Sequence, residues 1–226
     1  MRRLLIPLMV FAAVGLVLSI VGLVRTMNRM GSTPSQGGGP TIIQPDPASL
    51  GLSIPEFTLT DHNNQLSTQA IFDGRVTVLD FFFTHCPFIC PMMMLEMKDR
   101  ATALAGTGVR FVSISVDPTH DTPARLKEYA GEKELDLSRW TLLTGDAKTV
   151  ETIAFKSLGF AIGPDKDASK TFEVPGGGTM QNIVHPNRLI LVGPDRNVLG
   201  FYDFNNPEDM QKLTARAKAA AAALPK

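Results

Sequence analysis

The sequence predicts an α/β sandwich built on a mixed central sheet, and three observations lead there. Two apolar runs, Val76 to Phe83 and Val109 to Val116, have the length and the β-branched or aromatic content of buried strands. A helical pattern from Pro91 to Leu104 separates them, which is the alternation expected of an α/β unit. Near the C-terminus, Arg188 to Val192 and Val198 to Tyr202 face each other across Gly193-Pro194-Asp195-Arg196-Asn197, a hairpin that extends the sheet.

Residues 1–30 set the location. Arg2 and Arg3 precede an uncharged run, Leu4 to Val24, which as a helix would be about 31 Å long and so span a bilayer's hydrocarbon core. Arg25, Thr26, Met27, Asn28 and Arg29 offer no small-x-small cleavage site, so the run reads as an uncleaved anchor. Residues 31–49 are rich in Gly, Ser and Pro and form a flexible linker, with an average span of about 24 Å. Residues 50–226 are enough for one domain with a substantial core. The expected topology is a single-pass membrane protein whose C-terminal domain lies on the extracytoplasmic, periplasmic side. The whole chain has a formal net charge of zero, but residues 1–30 contain four arginines and no acid. The remainder therefore carries a net charge of about −4, which argues against nucleic acid as a partner.

Within the domain, Pro91 belongs in the first turn of its helix, the one place where its missing N–H costs nothing. Thr122-Pro123 opens a second helix to about Ala130, and Trp140 to Leu143 is a short strand. Asp146 caps a helix from Ala147 to Leu158, and Pro207-Glu208 opens a final Ala-rich helix. Gly176-Gly177-Gly178 has no strand-to-helix context and reads as a mobile loop, not as a phosphate cradle.

Cys86 and Cys90 are the chain's two cysteines, and they occupy the loop between the first strand and the helix after it. That junction is where a thioredoxin-like fold carries its reactive sulfurs. Three intervening residues let both sulfurs face one ligand without being forced into a disulfide, and two thiolates are soft donors suited to Cu(I). A structural disulfide closing so small a loop would add little stability. A third ligand, such as imidazole, would complete a trigonal site. Of the four histidines, His185 is the first choice, because it lies just ahead of the Arg188 strand and a loop end there can reach the strand end bearing Cys86. His85 reads as a loop hydrogen-bonding residue, His120 as part of a turn with Asp117, Pro118 and Asp121, and His62 as a solvated hairpin tip. Met97 reads as core, whereas Met92 to Met94 cannot all face inward, so at least one is expected to border the site. Asp80 reads as a buried carboxylate in an apolar strand.

Three ordered blocks add a further argument: Leu79 to Pro91 with Met92 and Met97, then Ser113 to Pro118 followed by Asp121-Thr122-Pro123, then Val184-His185 ahead of Leu189 to Asp195. Together they resemble the Sco/SenC copper chaperone family over roughly Leu50 to Leu213. The resemblance implies a thioredoxin-like fold, a single N-terminal anchoring helix, and copper ligands at Cys86, Cys90 and His185. It also implies a client, the binuclear copper site of cytochrome c oxidase subunit II or a related copper protein, and a separate copper donor. Two positions depart from the family's pattern: Phe88 stands where many members have Asp, and Pro186 where many have a small residue. Neither removes a ligand, but both alter the surface a partner would meet.

The sequence therefore points to a membrane-anchored copper-binding protein that delivers copper or prepares the client's thiols. The rival is a thiol-disulfide oxidoreductase in which Cys86 attacks and Cys90 resolves. A thiol peroxidase is disfavoured, because no Arg near Cys86 in the chain is placed to lower its thiol pKa.

Overall fold

The computed structural model describes residues 51–174 and 177–225. The anchor at 1–30 and the linker at 31–49 lie outside them, and among the described residues no helix is long and apolar enough to cross a membrane. Strands β1 (Thr58–Asp61) and β2 (Leu66–Thr68) form a hairpin. Then come β3 (Thr77–Phe82), α1 (Cys90–Ala103), β4 (Arg110–Ser115), α2 (Pro123–Glu132), β5 (Trp140–Thr144) and α3 (Ala147–Glu151). Four short strands follow: β6 (Gly163–Pro164), β7 (Thr171–Glu173), β8 (Thr179–Gln181) and β9 (Ile183–Val184). The chain closes with β10 (Arg188–Val192), β11 (Val198–Asp203) and α4 (Pro207–Ala222).

The main sheet has seven strands in the order β11-β10-β3-β4-β5-β1-β2. Strands β3, β4 and β5 are parallel, and β10 runs antiparallel to β3, so the sheet is mixed as expected. All six residues of β3 are buried, which is why it reads as a continuous apolar run and not as an alternation. Phe81, Phe82, Phe83, Phe111 and Trp140 fill the core around it. Helix α1 buries Met93, Met94, Met97 and Ala101, and Arg100 ties it to α4 by donating to the Met210 carbonyl at 3.1 Å. Pro91, Pro123 and Pro207 each sit in a first helical turn.

Two local expectations change in the folded chain. His62 is buried, because β1 pairs with β5 and lays the hairpin tip along it. Its N–H donates to the Leu142 carbonyl at 3.0 Å, and its Nδ1 accepts from the Leu142 N–H at 3.3 Å. The helix capped by Asp146 is α-helical only to Glu151 and continues as a π-helical turn, Thr152–Ser157. Gly177 and Gly178, with φ of 90° and 108°, turn the chain between β7 and β8, where Val174 exchanges backbone hydrogen bonds with both.

Asn206 caps α4 by accepting from the Glu208 and Asp209 N–H groups at 2.9 and 3.4 Å. Asn206→Ala is expected to cost about 1 kcal/mol, read as a lower denaturant midpoint at unchanged slope.

Candidate metal centre

The site is assembled at the end of β3. Past Phe83 the chain leaves the sheet, and the Cys86 N–H donates back to the Phe83 carbonyl at 3.3 Å, turning the loop so that Cys90 becomes the first residue of α1. Both cysteines are unpaired and nearly inaccessible, at 7% exposure for Cys86 and 2% for Cys90. The third residue arrives from the other end of the domain. Strand β9 pairs with β6 and releases the chain at His185, and β10 then pairs with β3, so the connecting segment passes over the cysteine loop.

The Cys90 Sγ to His185 Nε2 distance is 3.3 Å, and one ligand atom from each of Cys86, Cys90 and His185 lies within 4.8 Å of the others. His185 Nδ1 is 3.0 Å from the Pro186 carbonyl oxygen. A carbonyl only accepts, so Nδ1 carries the proton and Nε2 presents its lone pair to the sulfurs. The backbone of the unusual Pro186 thus sets the ring's tautomer. Phe83 meets the His185 ring edge to face at 5.7 Å between centroids, and Phe172 stacks on Phe83 at 6.2 Å.

The two sulfurs are electrically unequal. The Cys90 thiol donating to Cys86 pulls the Cys86 pKa down to about 4 against the effect of burial. Burial, reinforced by the Cys86 thiolate, pushes the Cys90 thiol up. One proton therefore stays with Cys90 while Cys86 is a thiolate at neutral pH. The hydrogen bond from Cys90 achieves this without an Arg, so no basic residue near Cys86 in the chain marks it. The Asp80 carboxyl, on β3, is fully buried. Burial lifts it to about 7, and it is close enough to act on both His185 and Cys90.

The remaining candidates lie beside the sulfurs. Thr84 is tied to Asp121: its hydroxyl donates to Oδ1 at 2.6 Å and its N–H to Oδ2 at 3.1 Å. His85 Nδ1 is 3.1 Å from the Thr84 hydroxyl, and His120 Nδ1 is 2.7 Å from Asp117 Oδ2. Met93, Met94 and Met97 are core residues, whereas Met92 is exposed in a groove between α1 and α4. Phe88 is 53% exposed and meets Phe172 edge to face. It borders a cavity of about 570 Å³ also lined by Ile89, Ile183, Val184, His185 and Asn187. Phe172 was invisible as a site residue in the sequence, because a three-residue strand has no readable period.

The SCO1/SenC family model matches residues 46–222. A SCO1 protein homolog of Bacillus subtilis is 31% identical over 175 residues, which cover 76% of this chain and 81% of that protein. Among solved structures, BsSco, described as a member of the Sco family of cytochrome c oxidase assembly proteins with a disulfide switch, aligns with a TM-score of 0.63 at 29% identity, covering 77% of this chain and 96% of that one. Arabidopsis thaliana ScoI with copper bound aligns with a TM-score of 0.59 at 26% identity, covering 74% and 97%.

Proposed function

This chain belongs to the SCO1/SenC family, and on that premise we propose that it carries copper between Cys86, Cys90 and His185 and passes it to the binuclear copper site of cytochrome c oxidase subunit II, or prepares that site's thiols. The observation that supports this best is the convergence of two sulfurs and one imidazole nitrogen from distant parts of the chain. Two soft thiolates suit Cu(I), and the nitrogen makes Cu(II) tolerable. The relatives' descriptions agree in kind: ScoI of Arabidopsis thaliana holds copper, and BsSco is an oxidase assembly protein. Copper enters from a separate donor, with Cys90 giving up its proton on loading.

In this reading residues 1–30 anchor the chain in the membrane, residues 31–49 tether the domain, and residues 50–226 hold the copper on the periplasmic side. A reporter fused after Lys226 is expected to be active only outside the cytoplasm. Activity inside would reverse the topology.

A second reading, thiol-disulfide exchange, draws on the Cys86 thiolate. That sulfur would attack a client disulfide and expel one client thiolate. Cys90 would then attack Cys86 in the mixed disulfide, releasing the second client thiolate and leaving Cys86 and Cys90 oxidised. His185→Ala separates the two. Cu(II) affinity is expected to fall about a hundred- to a thousandfold, the share of one ligand in a site worth about 10–16 kcal/mol over four. Cu(I) affinity should change far less, since Cu(I) is satisfied between two sulfurs. The measurements are a Cu(II) titration on the thiolate-to-copper absorption band and a disulfide-exchange rate. Unchanged Cu(II) affinity with a collapsed exchange rate would favour the redox reading.

A further inference from the structure

We infer that His85, Asp117 and Asp121 form a second cation site, taking a divalent first-row transition ion and distinct from the sulfur pair. One ligand atom from each lies within 4.8 Å of the others, and His85 Nδ1 is 4.0 Å from Asp121 Oδ1. Bonds of about 2.1 Å to a central ion place ligand atoms about 3.5 Å apart around a tetrahedron. The set is therefore open by up to about 1 Å and closes on the ion, with His85 Nδ1 giving up the proton it now donates to the Thr84 hydroxyl.

Charge is the second argument. The Asp117 and Asp121 side chains are 5% and 0% exposed, and among the described residues their ion-pair partners are His120 and His85 alone. The nearby Arg125 is engaged with Glu128 and Glu132 and reaches this cluster only by donating to the Thr84 hydroxyl at 3.3 Å. Asp121 is relieved in part by donors from Thr84 and Ser115, and burial favours its neutral form, whereas a cation beside both carboxylates would let the pair stay ionised. An imidazole supplies that positive charge only when protonated, whereas a bound cation supplies it directly.

The surroundings also hold the donors in place. Thr84 and Ser115 fix the Asp121 carboxylate by donating to it. His120 Nδ1, 2.7 Å from Asp117 Oδ2, gives the imidazole-carboxylate pairing that orients a ligating carboxylate. The His120 side chain is 37% exposed and its ring meets that of His85 edge to face at 5.9 Å, so it marks the entrance. One nitrogen and two carboxylate oxygens suit Zn2+ or a similar divalent ion and repel soft Cu(I), which the sulfurs take instead. The two sites thus sort ions by softness, and an ion held by His85 would restrain the residue directly before Cys86.

The probe is Zn2+, followed by equilibrium dialysis and metal analysis on the full chain. After one equivalent of Cu(I) has filled the sulfur site, the wild type is expected to bind one Zn2+ per chain. His120→Ala should weaken this by about tenfold and Asp117→Asn by at least about a hundredfold, with Cu(I) content unchanged in both. Cys86→Ser/Cys90→Ser, tested without copper, should keep the one Zn2+, so this arm judges the new site even where the copper reading fails. Absence of Zn2+ from both the copper-loaded chain and the double cysteine variant overturns the proposal. So does Zn2+ uptake that neither Asp117→Asn nor His120→Ala alters.

Discussion

Cu(I) affinity is expected to fall by about a hundred- to a thousandfold when either Cys86 or Cys90 is replaced by serine in the full chain. Structural Zn2+ sites with four protein ligands are worth about 10–16 kcal/mol, or about 2.5–4 kcal/mol for each ligand, and a thiolate to Cu(I) is taken to be of the same order. A hydroxyl is a hard, protonated donor that does not replace a thiolate for Cu(I). The two variants should differ in how they fail. Cys86→Ser removes the thiolate that already exists at neutral pH and leaves only the Cys90 thiol, whose pKa burial raises, whereas Cys90→Ser keeps Cys86 beside a hydroxyl that still donates to it. Thiol reactivity near neutral pH should therefore be lost in Cys86→Ser and persist in Cys90→Ser. Competition against a Cu(I) chelator gives the affinity and alkylation rate against pH gives the reactivity. Wild-type Cu(I) affinity in either variant would remove the sulfur pair as the copper site.

Asp80→Asn is expected to stabilise the domain at alkaline pH. The Asp80 carboxyl is buried and lifted to about 7 from 3.8, mainly by desolvation, with Ser113 and His185 opposing. Its folded-state pKa lies above its unfolded value, so between about pH 4 and pH 7 the native chain holds a proton that the unfolded chain releases. Stability from this group is thus greatest at low pH and falls as pH rises, with the full cost present above about 7. About three pKa units correspond to about 4 kcal/mol. Asparagine removes the titration but leaves a buried amide with unmet hydrogen bonds, which costs about 1–3 kcal/mol. A net gain of about 1–3 kcal/mol at pH 8–9 is expected, together with loss of the decline between about pH 4 and pH 7. Because the Cys86 thiolate contributes with the opposite sign, the quantity to measure is the difference between variant and wild-type denaturant midpoints across pH. A pH-independent difference would show that Asp80 does not titrate in the folded chain.

Where residues that act together are also close in the chain, the sequence was enough. The strand, cysteine loop and helix of Thr77 to Ala103 follow one another directly, so an apolar run, a paired-thiol spacing and a first-turn proline located them. Thr122 and Asp146 cap their helices through side chains that accept from N–H groups three residues on, a contact written in local spacing. The SCO1/SenC resemblance rested on blocks of that kind, and the family model covers nearly the same residues.

Tertiary structure decided what local spacing does not encode. His185 is 95 residues from Cys90, and its choice from the sequence leaned on resemblance; the 3.3 Å contact exists because β10 pairs with β3 and β9 with β6. Strands of two or three residues are too short for a period to emerge, so the segment from 163 to 184 and its Phe172 could not be read in advance. His62 looked solvated because its neighbours are Asp61, Asn63 and Asn64, yet pairing of β1 with β5 buries it. The same holds for charge. Which carboxylate is desolvated, which thiol keeps the proton and which imidazole nitrogen faces the sulfurs depend on groups that packing alone brings within a few ångströms, and at that range burial and hydrogen bonding outweigh any preference of the residue itself.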